Sequence, residues 1–342
     1  MKFPYRNRGQ NRSPICVCLG LAMLSLTLFP KNDALCQTPP SPSESDAKQM
    51  VTKFRAALEK HDTLQANQIG RELQTLGKTV LPAIRDALPD CSEAEKRQFI
   101  SVLTGIAGNE TAQLLLQLAC QSPDTNVVSA ALNAIGNRPI NFALTASQFE
   151  WLLGKLSKGH VFNAATAARL LARCQRNNTS RAVNPILERF VEEIENPTNL
   201  GKIHGSYLSP RVYTLNLFLL AFADMNEKAA SEVKDAIKKA TIPETQKWLT
   251  LALGMCGDQS VAQDIRFMIK NDPDVSFRCV AVHAYARSDG EKAVTFLKTL
   301  LTDSSQSEYD WLPDGSPVYP VRLAAQDELA RLRSKSCRQQ DN

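Results

Sequence analysis

Residues 257–290, GDQSVAQDIRFMIKNDPDVSFRCVAVHAYARSDG, decide the fold of this chain. In the first half, apolar side chains recur at offsets i, i+4, i+7 and i+8, which place them on one face of a helix. They are Val261, Ile265, Met268 and Ile269, with Phe267 off the face. After a turn at 272–274, the second half has the same helical spacing at Phe277, Ala281, Ala284 and Tyr285. The stretch therefore predicts one helical hairpin, with helices of about 11 to 14 residues.

The second helix of this unit recurs twice elsewhere, with the pattern Val/Phe-x3-Ala-x2-Ala/Glu-Ile/Tyr/Leu. One copy has Val127, Ala131, Ala134 and Ile135, and the other has Val321, Ala325, Glu328 and Leu329. Looser helical patterns fill the sequence between these copies. A repeat of roughly 30 residues or more is typical of helical arrays, in which each unit buries its apolar face on its neighbours. We therefore predict an all-α fold, an α-solenoid of about eight stacked helical hairpins over residues 47–335, followed by a tail at 336–342.

Helix-end signals support these limits. Ser92 followed by Glu95 has the spacing of a capping box, in which each side chain bonds the other's backbone N–H. Gly77 stands after an apolar-periodic segment, where a glycine commonly ends a helix. Both signals predict helix boundaries inside the first two hairpins.

These residues resemble the HEAT-like repeats of the short type associated with phycobilisome lyases. The resemblance rests on Asp272, Asp274, Arg278, Ala281 and Ala284, and in the last copy on Arg322 and Ala325. It implies that the second helix of each hairpin lines the concave surface and that an Asp–Arg contact joins adjacent repeats. The third hairpin has Val128 where that family usually has arginine. Such a motif is specific for fold and says little about function.

The N-terminus has the three parts of a secretory signal. Residues 1–36 contain a basic start, a mostly apolar run of 15 residues at 15–29, and Ala34-Leu35-Cys36 at the predicted cleavage site. The run is short for a membrane span, which needs about 20 residues, so an uncleaved anchor is the alternative. The Pro/Ser-rich residues 37–46 are expected to form a linker. We predict an exported protein, periplasmic or extracellular, with no membrane span after signal cleavage.

Removing the signal changes the charge. It holds five of the 40 Lys and Arg and one of the 35 Asp and Glu, so 35 basic and 34 acidic residues remain, a net charge near +1. This balance gives no support to nucleic-acid binding. Six cysteines remain, without zinc-ligand spacing, and a Cys91–Cys120 disulfide and buried free thiols are both open.

A basic helix face is the first candidate site. Arg169, Arg173 and Arg176 are spaced i, i+4, i+7, in a stretch from 151 to 187 that has no acid. They predict a patch for an anionic ligand or an acidic partner. The alternative is a solvated face balanced by acids of the next repeat, such as Glu188, Glu192 and Glu193.

An 18-residue interruption at 302–319 is the second candidate. It carries Tyr309, Trp311 and Tyr319 beside acidic residues, a composition that suits a protein partner. The alternative is a cap over the apolar end of the array.

The sequence contains no catalytic motif, phosphate loop or metal-ligand set, so we predict a non-catalytic protein without a cofactor. Its expected function is protein–protein interaction or scaffolding with an unidentified protein partner. The alternatives are an enzyme related to bilin lyases, which the resemblance raises, and an anionic-ligand binder that uses the central basic face.

Overall fold

The apolar stripes of the sequence are buried between helices in the computed structural model, which describes residues 43–136, 138, 142–174, 179–198, 206–308 and 316–340. Within these residues the chain forms sixteen α-helices and no strand, which confirms the all-α prediction. All of them belong to one compact unit, Ser41–Asn342. The first eight are α1 (Glu44–Glu59), α2 (Thr63–Leu76), α3 (Leu81–Ala87), α4 (Glu93–Thr104), α5 (Asn109–Gln121), α6 (Thr125–Gly136), α7 (Ala146–Lys158) and α8 (Val161–Cys174). The others are α9 (Thr179–Glu195), α10 (Pro210–Met225), α11 (Ala230–Lys239), α12 (Pro243–Met255), α13 (Ala262–Asn271), α14 (Val275–Asp289), α15 (Ala293–Leu300) and α16 (Pro320–Gln340).

The stretch at 257–290 forms the predicted hairpin, α13 and α14. Ile265 and Ile269 of α13 have no exposed surface, whereas Phe267, off the predicted face, is 68% exposed. On α14 the four predicted positions are buried, and the ring of Phe277 packs edge-on against Trp248 of α12 at 5.0 Å. The helical spacing therefore identified the core face of both helices.

The predicted caps are present. Ser92 and Glu95 form the capping box of α4, with the Glu95 carboxylate accepting the Ser92 backbone N–H at 2.7 Å. Gly77 follows α2 at φ 61°, a conformation that costs glycine little. A second capping box, Ser43 with Asp46, starts α1 at Glu44, so residues 44–46 of the predicted linker belong to a helix. At the other end α16 runs to Gln340, through most of the predicted tail.

The helices pack in a regular order along the chain. The even-numbered helices, predicted as the second helices of the hairpins, contact one another consecutively from α2 to α16. Most odd-numbered helices pack on the even-numbered helix that follows them, such as α5 on α6 and α13 on α14. We refer to the two sets as the first-helix and second-helix layers. Helix α10 also contacts α14, and the backbone N–H of Ser209, at the start of α10, donates to Ser276 at the start of α14 at 3.0 Å.

Charged ties join adjacent hairpins at the start of the second helices. Lys247 of α12 donates to Asp272 at 2.9 Å, and Arg278 of α14 pairs with Asp303 beyond α15. Arg278 thus makes an Asp–Arg contact, but with Asp303 rather than with Asp272 or Asp274, on which the resemblance rested. Asp274 instead caps its own helix, accepting the N–H groups of residues 276 and 277. In α6 the residue that corresponds to Arg278 is Val128, which is buried. Apolar packing therefore replaces the charge pair at this position.

The described cysteines are free thiols, so the Cys91–Cys120 disulfide is not formed. Cys91 Sγ donates to the carbonyl of Ala87 at 3.2 Å instead. Burial raises the pKa of both the Cys91 and Cys120 thiols to about 11. A thiol with such a pKa is protonated at neutral pH and therefore a poor nucleophile.

Candidate binding surfaces

The predicted basic face is not an open surface at its first two residues. Arg169 and Arg173 lie together on α8, and Asp224 at the end of α10 faces both. Arg173 Nε lies 2.7 Å from Asp224 Oδ2, and Arg169 Nε lies 3.7 Å from the same oxygen. Arg169 is only 8% exposed. Arg176 lies outside the described residues.

The acid that balances this pair differs from those named in the sequence. The acids Glu188, Glu192 and Glu193 are on α9, in the first-helix layer. Glu193 is buried and accepts from Arg189 of its own helix at 2.6 Å. Arg173 is therefore balanced by an acid of the next predicted hairpin, as the alternative expected. That acid is Asp224 on α10, however, and not one of the three glutamates on α9. Sequence spacing within one helix could not reveal this partner.

Arginines also satisfy the C-terminal carbonyls of second helices. Arg173 Nη1 donates to the carbonyl of Arg138 at 2.7 Å. Arg138 in turn donates to carbonyls at the end of α4, among them Ile106 at 2.6 Å and Leu103 at 2.7 Å. Helix ends leave such carbonyls without intrahelical donors, and cations are stabilising there. These two arginines thus join one second helix to the next.

The interruption at 302–319 is described only at its two ends. Tyr309 and Trp311 lie outside the described residues. Tyr319 is partly buried, and the guanidinium of Arg322 lies 4.0 Å from its ring centroid. Tyr319 therefore contacts its own chain at the start of α16.

The two long connections of the chain meet. Ser307 N–H donates to the carbonyl of Val318 at 2.9 Å, which closes the base of the interruption. Ser307 Oγ donates to the carbonyl of Tyr207 at 2.8 Å, in the connection before α10. Burial raises the pKa of the Tyr207 hydroxyl well above its usual value. Tyr207 is therefore partly buried where the two connections touch.

A groove that the sequence did not predict lies between α9, α11 and the start of α12. Its volume is about 780 Å³. Apolar side chains on all three helices line it, among them Leu187, Val191, Ala236 and Leu249. Five carboxylates also line it, from Glu188, Glu192, Glu195, Glu232 and Asp235, against a single basic side chain, Lys239. The groove therefore combines an apolar lining with a strongly negative one.

Several of these carboxylates are not neutralised. Glu192 pairs with Arg189 at 2.7 Å, and Asp235 pairs with Lys238 at 3.0 Å. Glu188, Glu195 and Glu232 have no ion pair within the part of the chain that the structure describes. Glu188 and Glu195 are exposed on the same face of α9 at i and i+7. An uncompensated negative surface of this kind attracts cationic groups.

The groove follows from local sequence features that carry no recognised motif. α9 is a 17-residue helix with Pro185 inside its first turns. Asn226, at φ 53°, ends α10 and starts the short 3-10 turn that leads to α11. Thr245 hydroxyl donates to Glu195 at 3.1 Å, which ties the end of α9 to α12. Glu188 and Glu192 were named from the sequence as balancing acids, but Glu195 and the position of α11 beside α9 were not part of that prediction.

No described helix is both long enough and apolar enough to cross a membrane. The described residues also contain no group of three or more His, Cys, Asp or Glu side chains placed to hold a metal ion. Neither a scan against protein-family models nor a search of curated proteins finds a match for the chain.

Proposed function

We propose that the chain is an exported α-solenoid of about eight HEAT-like hairpins that binds another protein, and that the groove between α9 and α11 receives a positively charged segment of that partner. The observation that carries the proposal is the groove itself, about 780 Å³ in volume and lined by five carboxylates and several apolar side chains. A peptide with lysines or arginines beside apolar residues matches both kinds of lining.

Packing in the chain supports the solenoid. Second helices contact one another in chain order, and first helices pack mainly on the helix that follows them. Arrays of this kind present long surfaces and serve mainly in binding. The basic start and 15-residue apolar run of the N-terminus support export.

The proposed surface is on the first-helix layer, whereas the sequence pointed to the second-helix face and to residues 302–319. Arg169 and Arg173 are largely buried against Asp224, and Tyr319 packs on Arg322. At their described residues, neither surface offers as much unpaired charge as the groove. The scaffolding function predicted from the sequence is therefore retained, with a different contact surface.

A synthetic amphipathic peptide tests the proposal. We expect a labelled peptide of about 14 residues, four helical turns, with leucines on one face and lysines on the other, to bind the purified protein in a fluorescence anisotropy titration. Replacing Glu188, Glu195 and Glu232 together by glutamine should weaken binding about tenfold, because three attractive charges are lost. Binding should also weaken as salt is added.

The matched control replaces three exposed glutamates on other helices or turns, Glu72, Glu110 and Glu227, by glutamine. It changes the net charge by the same amount and should leave the affinity unchanged. Equal weakening in both triple variants would show that the peptide responds to net charge alone. In that case, or if the peptide does not bind, the groove is not the contact surface.

A further inference from the structure

The last turns of helix α16 carry a run of basic residues. After Glu328 the sequence continues to Gln340 as LARLRSKSCRQQ, with four cations and no acid. Those cations are Arg331, Arg333, Lys335 and Arg338. The helix extends through the whole run to Gln340. We call residues 331–340 the basic end of α16.

The basic end reaches beyond the helix on which α16 packs. Helices α14 and α16 are in contact, and Phe277 of α14 corresponds to Val321 of α16 in the repeat pattern. By the same correspondence Asp289, the last residue of α14, matches Arg333. Helix α16 continues after Arg333 to Gln340, so these last two turns have no counterpart in α14. Arg333 itself is exposed and has no ion pair within the described part of the chain.

The spacing of cations in the basic end matches the spacing of acids in the groove. Three cations are at positions i, i+4 and i+7, namely Arg331, Lys335 and Arg338. Three acids of α9 that line the groove have the same spacing, namely Glu188, Glu192 and Glu195. Residues so spaced share one face of a helix and rise about 10 Å along it. A helix with the basic set can therefore lie along α9 with each cation opposite one acid.

The groove also has a direction that the sequence of the basic end matches. The Thr245 hydroxyl, near the start of α12, donates to Glu195 at 3.1 Å. The residues that link α11 to α12 line the groove as well, so Lys239, the last residue of α11, is at the Glu195 end. In the sequence, the first acid after Arg338 is Asp341. A basic end that runs parallel to α9 would therefore bring Asp341 toward Lys239.

We propose that the groove binds the basic end of α16 from a second copy of the chain, which rests on the function proposed for the groove and names its partner. Opposite charges at matching spacing attract the two surfaces and fix their register. The groove and the basic end are different surfaces of one chain. Each copy can therefore bind one neighbour through its groove and another through its α16, a head-to-tail contact.

Sedimentation equilibrium of the purified protein tests the proposal, from about 1 to 200 μM, the range of weak protein contacts. A reducing agent prevents disulfides through Cys337. We expect the average mass to rise with protein concentration and to fall as salt is added. Lys335→Glu with Arg338→Glu should weaken the association at least about tenfold, because two attractive charges become repulsive. Arg331 is left unchanged because it pairs with Glu328 of its own helix.

The matched control reverses two exposed cations on other helices, Arg71 of α2 and Arg97 of α4. Arg71→Glu with Arg97→Glu changes the net charge by the same amount and should associate like the unmodified protein. Equal weakening in both double variants would overturn the proposal, because the association would then respond to net charge alone.

A mixture of two variants identifies the surfaces that meet. The groove variant, in which Glu188, Glu195 and Glu232 are replaced by glutamine, keeps the basic end of α16. The Lys335→Glu/Arg338→Glu variant keeps the groove. Each alone should associate poorly, whereas an equimolar mixture should form a one-to-one dimer, since each partner supplies the surface that the other lacks. Melting curves of both variants verify that they are folded.

The proposal is overturned if the unmodified protein stays monomeric, if reversal at 335 and 338 leaves the association unchanged, or if the mixture forms no dimer. The amphipathic peptide distinguishes this failure from failure of the proposed function. Peptide binding that depends on the groove glutamates, without self-association, would mean that the groove takes a different protein. Absence of both peptide binding and self-association would overturn both proposals.

Discussion

At the scale of single residues, Glu328 shows how a buried charge depends on its neighbours. It occupies a position of the repeat where the other two copies have alanine, and it is 6% exposed. Burial acts to raise the pKa of Glu328, but the hydrogen bond with His283 and the charge of Arg331 outweigh it, so the pKa is below its usual value. The sequence marked the position as a core position but could not predict this partner set, because His283 is on another helix.

This environment makes a prediction about acid stability. The folded protein holds Glu328 ionised, whereas in the unfolded chain it takes up a proton near pH 4.5. Its contribution is therefore present above that pH and is lost as the pH falls further through the folded pKa. We expect Glu328→Gln to lower the free energy of unfolding by about 1–3 kcal/mol at pH 7 and by less in acid.

Urea denaturation between pH 7 and pH 3 measures both effects. Glu110→Gln, an exposed glutamate on α5, is the control and should follow the unmodified protein throughout. If the free energies of unfolding of Glu328→Gln and of the unmodified protein differ by the same amount at every pH from 7 to 3, the prediction is wrong.

At the scale of elements, the ties between hairpins were predicted only in part. The family resemblance picked out Arg278 as a contact with a neighbouring hairpin, and Arg278 does pair with a residue beyond α15. Its partner Asp303, however, lies at the start of the long interruption, which breaks the repeat pattern. Lys247 of α12 makes the equivalent contact with Asp272. The sequence did not predict this contact, because the position has lysine in place of arginine. Spacing rules find helix faces well, but a contact between loops depends on the turn geometry of both hairpins.

The Arg278–Asp303 tie should contribute measurably to stability, because both side chains are only 13% exposed. In a double-mutant cycle with Arg278→Leu and Asp303→Asn, we expect a coupling energy of about 1–3 kcal/mol from urea denaturation. The Glu44–Lys48 pair is the control, since both side chains are more than half exposed. Its coupling should be below about 0.5 kcal/mol. Equal coupling for the two pairs would mean that burial does not strengthen the tie.

At the scale of the whole molecule, the fold was more predictable than the sites. Apolar residues at helical spacing fix helix faces locally, so the core positions of α6, α14 and α16 could be predicted from the sequence. The candidate sites require helices that are distant in sequence to lie side by side. Asp224 and Arg173 form a hydrogen bond although they are 51 residues apart in the sequence. Helices α9 and α11 line one groove although the whole of α10 separates them in the sequence. No residue pattern in the chain specifies those neighbours.

The distribution of long-range contacts also differs along the molecule. Beyond α8, hydrogen bonds join distant connections, from Ser209 N–H to Ser276 at 3.0 Å and from Ser307 to Tyr207 at 2.8 Å. Helices α1 to α6, by contrast, join the rest mainly through the contact of α6 with α8. Where two parts of an array meet through a single pair of helices, each part tends to open as a unit. We therefore expect α1 to α6 and α8 to α16 to behave as separate cooperative units.

A core truncation in the first unit tests this division. Phe54 is 2% exposed and packs edge-on against Phe99 at 5.1 Å, so Phe54→Ala should cost about 3–5 kcal/mol. In hydrogen-exchange measurements on this variant, the amides of α1 to α4 should exchange faster, by a factor set by the lost free energy of unfolding. The amides of α10 to α16 should keep their rates. The reciprocal variant, Phe222→Ala in α10, should accelerate exchange throughout α8 to α16, because the contacts among those helices are shared. Uniform acceleration along the chain in the Phe54 variant would mean that the array unfolds as one unit across the α6–α8 contact.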